Sequence, residues 1–214
     1  MAFVKFLLIT CLLGIALREI HGHGMMMDPV SRSSAWRKGY PVEPNYTDNQ
    51  LFCGGYNVQY NQNHGKCGEC GDDYAMPRPR PNENGGIYGL GISVRNYTVG
   101  QIVNVKVKLT ANHLGTFRFH LLELHNIHHV ETEEGFDEYP LKLADGGYEV
   151  QVPSTKMDFD IPVRLPAELV CEHCVLRWTY RAGNNWGDCD DGTSRLGCGP
   201  QETFRNCADV SISV

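Results

Sequence analysis

Histidine is the residue type here whose placement could do chemistry, and His23 comes first. It follows an apolar stretch at residues 6–16, with Lys5 ahead of that stretch and Gly22 directly before the histidine. An apolar run this short cannot span a bilayer and has the character of a secretory signal core. A cut after Gly22 would make His23 the N-terminus. Ile20 departs from the small-residue rule for that cut, so cleavage after Gly14 or Ala16 stays open. A terminal histidine offers one metal two nitrogens. Its α-amine has a low pKa for an amine, and its imidazole Nδ1 can close a chelate ring. A second histidine would complete a T of three nitrogens. Such a set suits copper, which stands at the top of the divalent affinity order, and leaves positions for dioxygen or peroxide.

His113 is the best-placed partner. It lies in the turn Thr110-Ala-Asn-His113-Leu-Gly115, directly after an alternating segment, and strand-end loops are where sites are built. His125, His128 and His129 form a denser cluster beside Glu131, Glu133 and Glu134, read as a solvated polar loop. His64, His120 and His173 read as structural or surface residues. Past the leader the chain holds eight cysteines: Cys53, Cys67, Cys70, Cys171, Cys174, Cys189, Cys198 and Cys207. Behind a signal peptide an even count reads as four disulfides of unresolved connectivity. Zinc at the two CxxC pairs is the competing reading. Asn45 and Asn96 head the sequons Asn45-Tyr-Thr47 and Asn96-Tyr-Thr98, which fit secretion.

The elements that must position these residues divide the chain in two. From 25 to 91 there is little periodicity, and the segment 53–86 carries three cysteines, many glycines and Pro77-Arg-Pro-Arg-Pro81. This reads as irregular surface structure tied by disulfides. From Gln101 alternation begins: Val103, Val105, Val107 and Leu109 against Asn104, Lys106 and Lys108, then Phe117, Phe119 and Leu121. Further strands are predicted at 148–152, 157–163, 174–180 and 208–214, with no competing amphipathic helix. Short strands punctuated by turns predict an all-β fold, an immunoglobulin/fibronectin-III-like antiparallel β-sandwich with long disulfide-tied loops. Trp178 and Trp186 are predicted in the core, and Tyr40, Tyr46, Tyr56 and Tyr60 of the loop-rich first part are candidates for an exposed aromatic face, each more readily read as packing or a loop anchor.

Several motifs in order carry a resemblance. The start His23-Gly-Met-Met-Met-Asp-Pro-Val-Ser-Arg32, the stretch Cys174-Val-Leu-Arg-Trp-Thr-Tyr180 with Gly183-Asn-Asn-Trp-Gly187, and the end Gly199-Pro-Gln-Glu-Thr-Phe-Arg-Asn-Cys-Ala-Asp209 resemble lytic polysaccharide monooxygenases of the fifteenth auxiliary-activity family, with its chitin-binding type-4 domain. The resemblance covers nearly all of 23–214, read as one domain after a signal peptide at 1–22. It implies one copper ion in a histidine brace, with His23 supplying its amine and Nδ1 and His113 its Nε2. It puts Phe204 at the axial position, where many relatives carry Tyr. Glu202 becomes a hydrogen-bonding group beside the copper, and Ala111 a small residue shaping access to it. The implied partners are a crystalline polysaccharide (chitin, or cellulose), an external electron donor, and dioxygen or hydrogen peroxide. The alternative is a secreted chitin-binding protein without activity.

Composition narrows the field further. The formal charge is −6 and no basic block is present, which argues against nucleic acid. No later segment is long and apolar enough to predict a membrane span, so a secreted, extracellular monomer is expected. No motif singles out the pair of carboxylates that glycoside hydrolysis needs.

Overall fold

A computed structural model describes residues 23–126 and 128–214. The leader expected at 1–22 lies outside the described residues. Two sheets face each other. The first has the order β1 (His23–Asp28), β3 (Ile102–Ala111), β8 (Asp158–Arg164) and β6 (Lys142–Leu143). The second runs β2 (Arg95–Thr98), β12 (Thr203–Ser213), β9 (Cys171–Arg181), β4 (Thr116–Glu123) and β5 (Tyr139–Pro140), with β7 (Val150–Gln151) also on β4. A separate hairpin joins β10 (Trp186–Asp188) to β11 (Ser194–Leu196). Pairing is antiparallel except between β2 and β12.

The alternation of β3 decides its faces. Val103, Val105, Val107 and Leu109 are buried while Asn104, Lys106 and Lys108 are exposed, as a strand with one wet face requires. They meet Phe117, Phe119 and Leu121 of β4 and Leu176, Trp178 and Tyr180 of β9 in one core. The Phe117 ring contacts Phe159 of the opposite sheet edge-to-face at 4.9 Å, a geometry favoured by the ring quadrupoles.

β9 is buried on both faces along residues 174–178. Its outer side is covered by a second cluster: Cys70 and Cys207, Leu122, Leu124, Val175, and Phe136 of the short helix α1 (Glu133–Asp137). The irregular first part is therefore a lid over one half of the six-stranded sheet. Ion pairs hold it there. Arg32, buried, donates to both carboxylate oxygens of Asp209 at 2.8 and 2.5 Å and to Glu131 at 2.6 Å. Arg80 pairs with Glu69 at 2.6 Å and also with Glu83. A buried charge persists only when so partnered. Burial works against the Arg32 charge, but Asp209 and Glu131 outweigh it and hold the guanidinium protonated.

All eight cysteines are bridged: Cys53–Cys67, Cys70–Cys207, Cys171–Cys174 and Cys189–Cys198. Among the described residues that leaves no thiolate for zinc. Only the second of the two CxxC pairs bridges internally. Three sequence expectations need correcting. Trp186 is 70% exposed, because β10 belongs to a hairpin outside both sheets. Glu131, assigned to a solvated loop, is 0% exposed because it neutralises Arg32, and Glu133 pairs with Arg177 and Arg205. Finally, residues 23–28 form a strand. His125 and His128 are exposed, as expected of a polar loop. Asn45 is half-buried and Asn96 is exposed on β2.

Candidate metal centre

The register of β1 on β3 brings the first site residues together, with His23 paired to Ala111 at the end of β3, two residues before His113. Gly24 permits that approach. A Cβ there would come within 2.6 Å of a Leu109 methyl and 3.0 Å of the Trp178 ring, so a larger residue would have to displace those core side chains. The main chain of Gly24 also donates to the Asn49 carbonyl at 3.0 Å, tying the strand start to the first loop.

His113 is fixed by the β3–β4 turn. Asn112 accepts from the Leu114 N–H at 2.8 Å, and its amide donates to the carbonyls of Pro153 and Lys156 at 2.9 and 2.6 Å. Such an Asx turn is the reason asparagine suits the position. Leu114 and Gly115 both have positive φ, 57° and 88°. At Gly115 a Cβ would meet the Arg181 carbonyl oxygen at 2.0 Å, so only glycine fits. The His113 N–H donates to the Tyr180 hydroxyl at 2.9 Å, and its carbonyl accepts from the Gly183 N–H at 2.8 Å. The turn is thus anchored from both sides and the imidazole is buried.

The remaining site residues arrive on β9 and β12. Phe204 pairs with Tyr180 across these strands. Its ring is fully buried, stacked on Tyr180 at 5.5 Å and on Phe52 at 6.0 Å. Glu202, also buried, has a carboxylate oxygen 3.9 Å from His113 Nδ1, and its carbonyl accepts from the Ala182 N–H at 2.9 Å. Burial pushes the Tyr180 hydroxyl up to about 12, so it stays protonated against the turn.

Asn184 is a residue the sequence reading passed over. Its side-chain amide lies 3.0 Å from His113 Nδ1. A half-turn of the amide exchanges its oxygen and nitrogen, so it can serve either tautomer of the imidazole. Its signal was the position of Asn184 in Gly183-Asn-Asn185, but nothing local in the sequence says which asparagine of the pair faces a histidine.

Among the described residues no three His, Cys, Asp or Glu side chains converge on a metal position. The terminal amine of a chain beginning at His23 would add a main-chain donor to the two imidazoles. Two imidazoles, one amine and a flanking aromatic ring suit a borderline ion such as copper. They do not suit calcium or magnesium, which want oxygen ligands.

The aromatic candidates separate. Tyr46 is 78% exposed and meets Trp36 edge-to-face at 5.3 Å. Tyr40 and Tyr60 donate their hydroxyls to the carbonyls of Val94 and Gln201, and Tyr56 leans on Tyr60 at 5.0 Å. The Tyr40 and Tyr60 hydroxyls are thus loop anchors.

Comparison with known proteins agrees with this geometry. The family model described as "Lytic polysaccharide mono-oxygenase, cellulose-degrading" matches residues 23–210. The structure of a lytic polysaccharide monooxygenase AA15 from Thermobia domestica in the Cu(I) state is 48% identical, with a TM-score of 0.87, over 89% of this chain and 98% of its own. An LPMO10B from Micromonospora aurantiaca is 16% identical with a TM-score of 0.49, over 88% of this chain and 99% of its own. The curated proteins give no match. A match that starts at His23 and runs almost to the end, joined to near-half identity with a solved relative, leaves one conclusion: the chain belongs to the lytic polysaccharide monooxygenase family.

Proposed function

We propose that the chain is secreted, loses residues 1–22, and holds one copper ion between the His23 α-amine, His23 Nδ1 and His113 Nε2. On this reading it cleaves crystalline polysaccharide by oxidation, with chitin as the first substrate to test and cellulose the second. The observation that carries the reading is the pairing of His23 with Ala111, which sets both histidines at one strand end. The Cu(I) state of the Thermobia domestica relative supports the choice of metal.

Bound copper would supply one-electron chemistry toward dioxygen or peroxide, with electrons from an external donor. The chain's own residues have separate work. The buried Glu202 carboxylate can hold or pass a proton beside the His113 ring. Phe204 closes the buried side with an apolar ring that offers no oxygen ligand. Ala111 leaves space beside His23 that a larger side chain would fill. The Tyr180 hydroxyl and the turn at 112–115 hold the geometry, which matters because site residues must be fixed within a fraction of an ångström.

The test is mass spectrometry of soluble products from copper-loaded protein with a confirmed His23 start. Chitin and cellulose are offered separately, with and without reductant. Oligosaccharides with one oxidised end, appearing only with reductant, are expected. Clean failure on both, with the protein retained on chitin, would favour a binding protein without activity. His113→Ala should abolish oxidation while leaving the fold intact.

A further inference from the structure

The outer face of the six-stranded sheet is covered over only part of its length. Where the disulfide-tied lid stops, a cleft of about 980 Å³ opens between that face and the β10–β11 hairpin. Its floor is two cross-strand rows, Thr116–Arg181–Thr203 and Arg118–Thr179–Arg205, from β4, β9 and β12. The floor thus alternates hydroxyls and guanidiniums. Arg118, Arg181, Arg195 and Arg205 are balanced by Glu149, Asp188, Asp190 and Asp191, and the Tyr60 ring lines one side.

Three polar atoms along this cleft are inaccessible and make no hydrogen bond among the described residues: Gln59 Oε1, Thr179 Oγ1 and Arg205 Nε. Gln59 is itself 3% exposed. These atoms are closed to a ligand, which meets the solvent-facing hydroxyls and guanidiniums of the floor instead. The hairpin that roofs the cleft is closed on itself by Cys189–Cys198 and held to the sheet by Arg181, which donates to the carbonyls of Gly197 and Gly199 at 3.1 and 2.7 Å.

We propose that this cleft binds a single hydroxyl-rich carbohydrate strand. Balanced charge disfavours a polyanion or polycation, because either would meet as many repelling as attracting groups. Dense donors and acceptors beside one aromatic ring fit a neutral sugar chain, and the volume lies at the upper end of small-ligand sites. The strands that floor the cleft run on from residues of the candidate metal centre. Thr203 follows Glu202 directly, Arg181 precedes Ala182, and Thr116 is three residues after His113. The proposal therefore deepens the function proposed above, on which it rests, by giving one strand of the polysaccharide a place on the protein.

The experiment is isothermal titration of copper-loaded mature protein, without reductant, against cellohexaose, chitohexaose and hexagalacturonate. Binding thus needs no turnover, and failure of the oxidation assay is a separate result. At least one neutral hexaose should bind. Arg118→Ala should weaken binding about tenfold, the loss expected for a hydrogen bond to a charged group, and Thr116→Val about fivefold. His113→Ala should bind as the parent does. Arg118 is exposed and Val suits a strand, so folding is not at risk in these variants. The proposal is overturned by any of four results: no neutral hexaose binding below about 10 mM, tighter binding of hexagalacturonate, binding indifferent to both cleft substitutions, or binding lost with His113→Ala.

Discussion

Replacing Asn184 tests how the chain prepares His113 for a metal. A neutral imidazole carries one proton and one lone pair. Ligation through Nε2 requires the proton on Nδ1, and a proton there needs an acceptor. The Asn184 amide is 3.0 Å away and can present its oxygen. Residues that orient metal-binding histidines in this way typically contribute 10- to 100-fold to affinity, about 1.4–2.7 kcal/mol. Here the lower end applies. Asn184 is exposed, so water can replace part of the lost bond, and Glu202 lies 3.9 Å from the same nitrogen. Asn184→Ala should weaken copper binding about tenfold, read by competition with a chromophoric chelator. Asn184→Asp keeps an acceptor and should restore most of it. In the metal-free protein, ring-nitrogen NMR should find the His113 proton shifting toward Nε2 in Asn184→Ala but not in Asn184→Asp. Unchanged affinity in Asn184→Ala, with the fold intact, would refute this role.

Three further outcomes follow from the packing. Arg32→Met strands Glu131 and Asp209 without their partner and should cost about 3–5 kcal/mol in denaturant unfolding; a loss under 1 kcal/mol would mean those carboxylates find other partners. Burial, then the neighbouring Arg177, lowers the His120 pKa from 6.5 to about 4. Its depressed folded-state value means that its stability contribution is complete above about pH 6.5 and is lost as pH falls toward 4. Melting temperature should decline over that window, less so in His120→Gln; identical profiles would discount the histidine. Removing Cys70–Cys207, which spans 137 residues, should destabilise by about 5 kcal/mol, against about 2 for Cys171–Cys174, which spans 3, in the chain-entropy picture. Equal losses would show that strain or contacts, not loop closure, dominate.

The sequence determined the parts governed by local rules. Strands β3, β4 and β8 were legible because each has one face against the core, so apolar residues alternate; β9 showed only part of that pattern, because residues 174–178 are buried on both faces. The even cysteine count behind the expected leader pointed to disulfides, and the turn at Asn112 and Gly115 marked a strand-end loop holding His113. Strand β1 was not legible. Met25 and Met26 are both buried, which erases the alternation that would have announced it. Trp186 was misplaced because an aromatic residue between glycines does not report which side of a hairpin faces water.

What only the tertiary structure decided is adjacency. His23 and His113 are 90 residues apart in sequence, and the register of β1 on β3 sets them at one strand end. The disulfide partners, the burial of Glu131 against Arg32, the amide of Asn184 beside the His113 ring and the polar cleft all join distant segments. No periodicity encodes such pairings, because they follow from which faces the sheets and the disulfide-tied lid leave to one another.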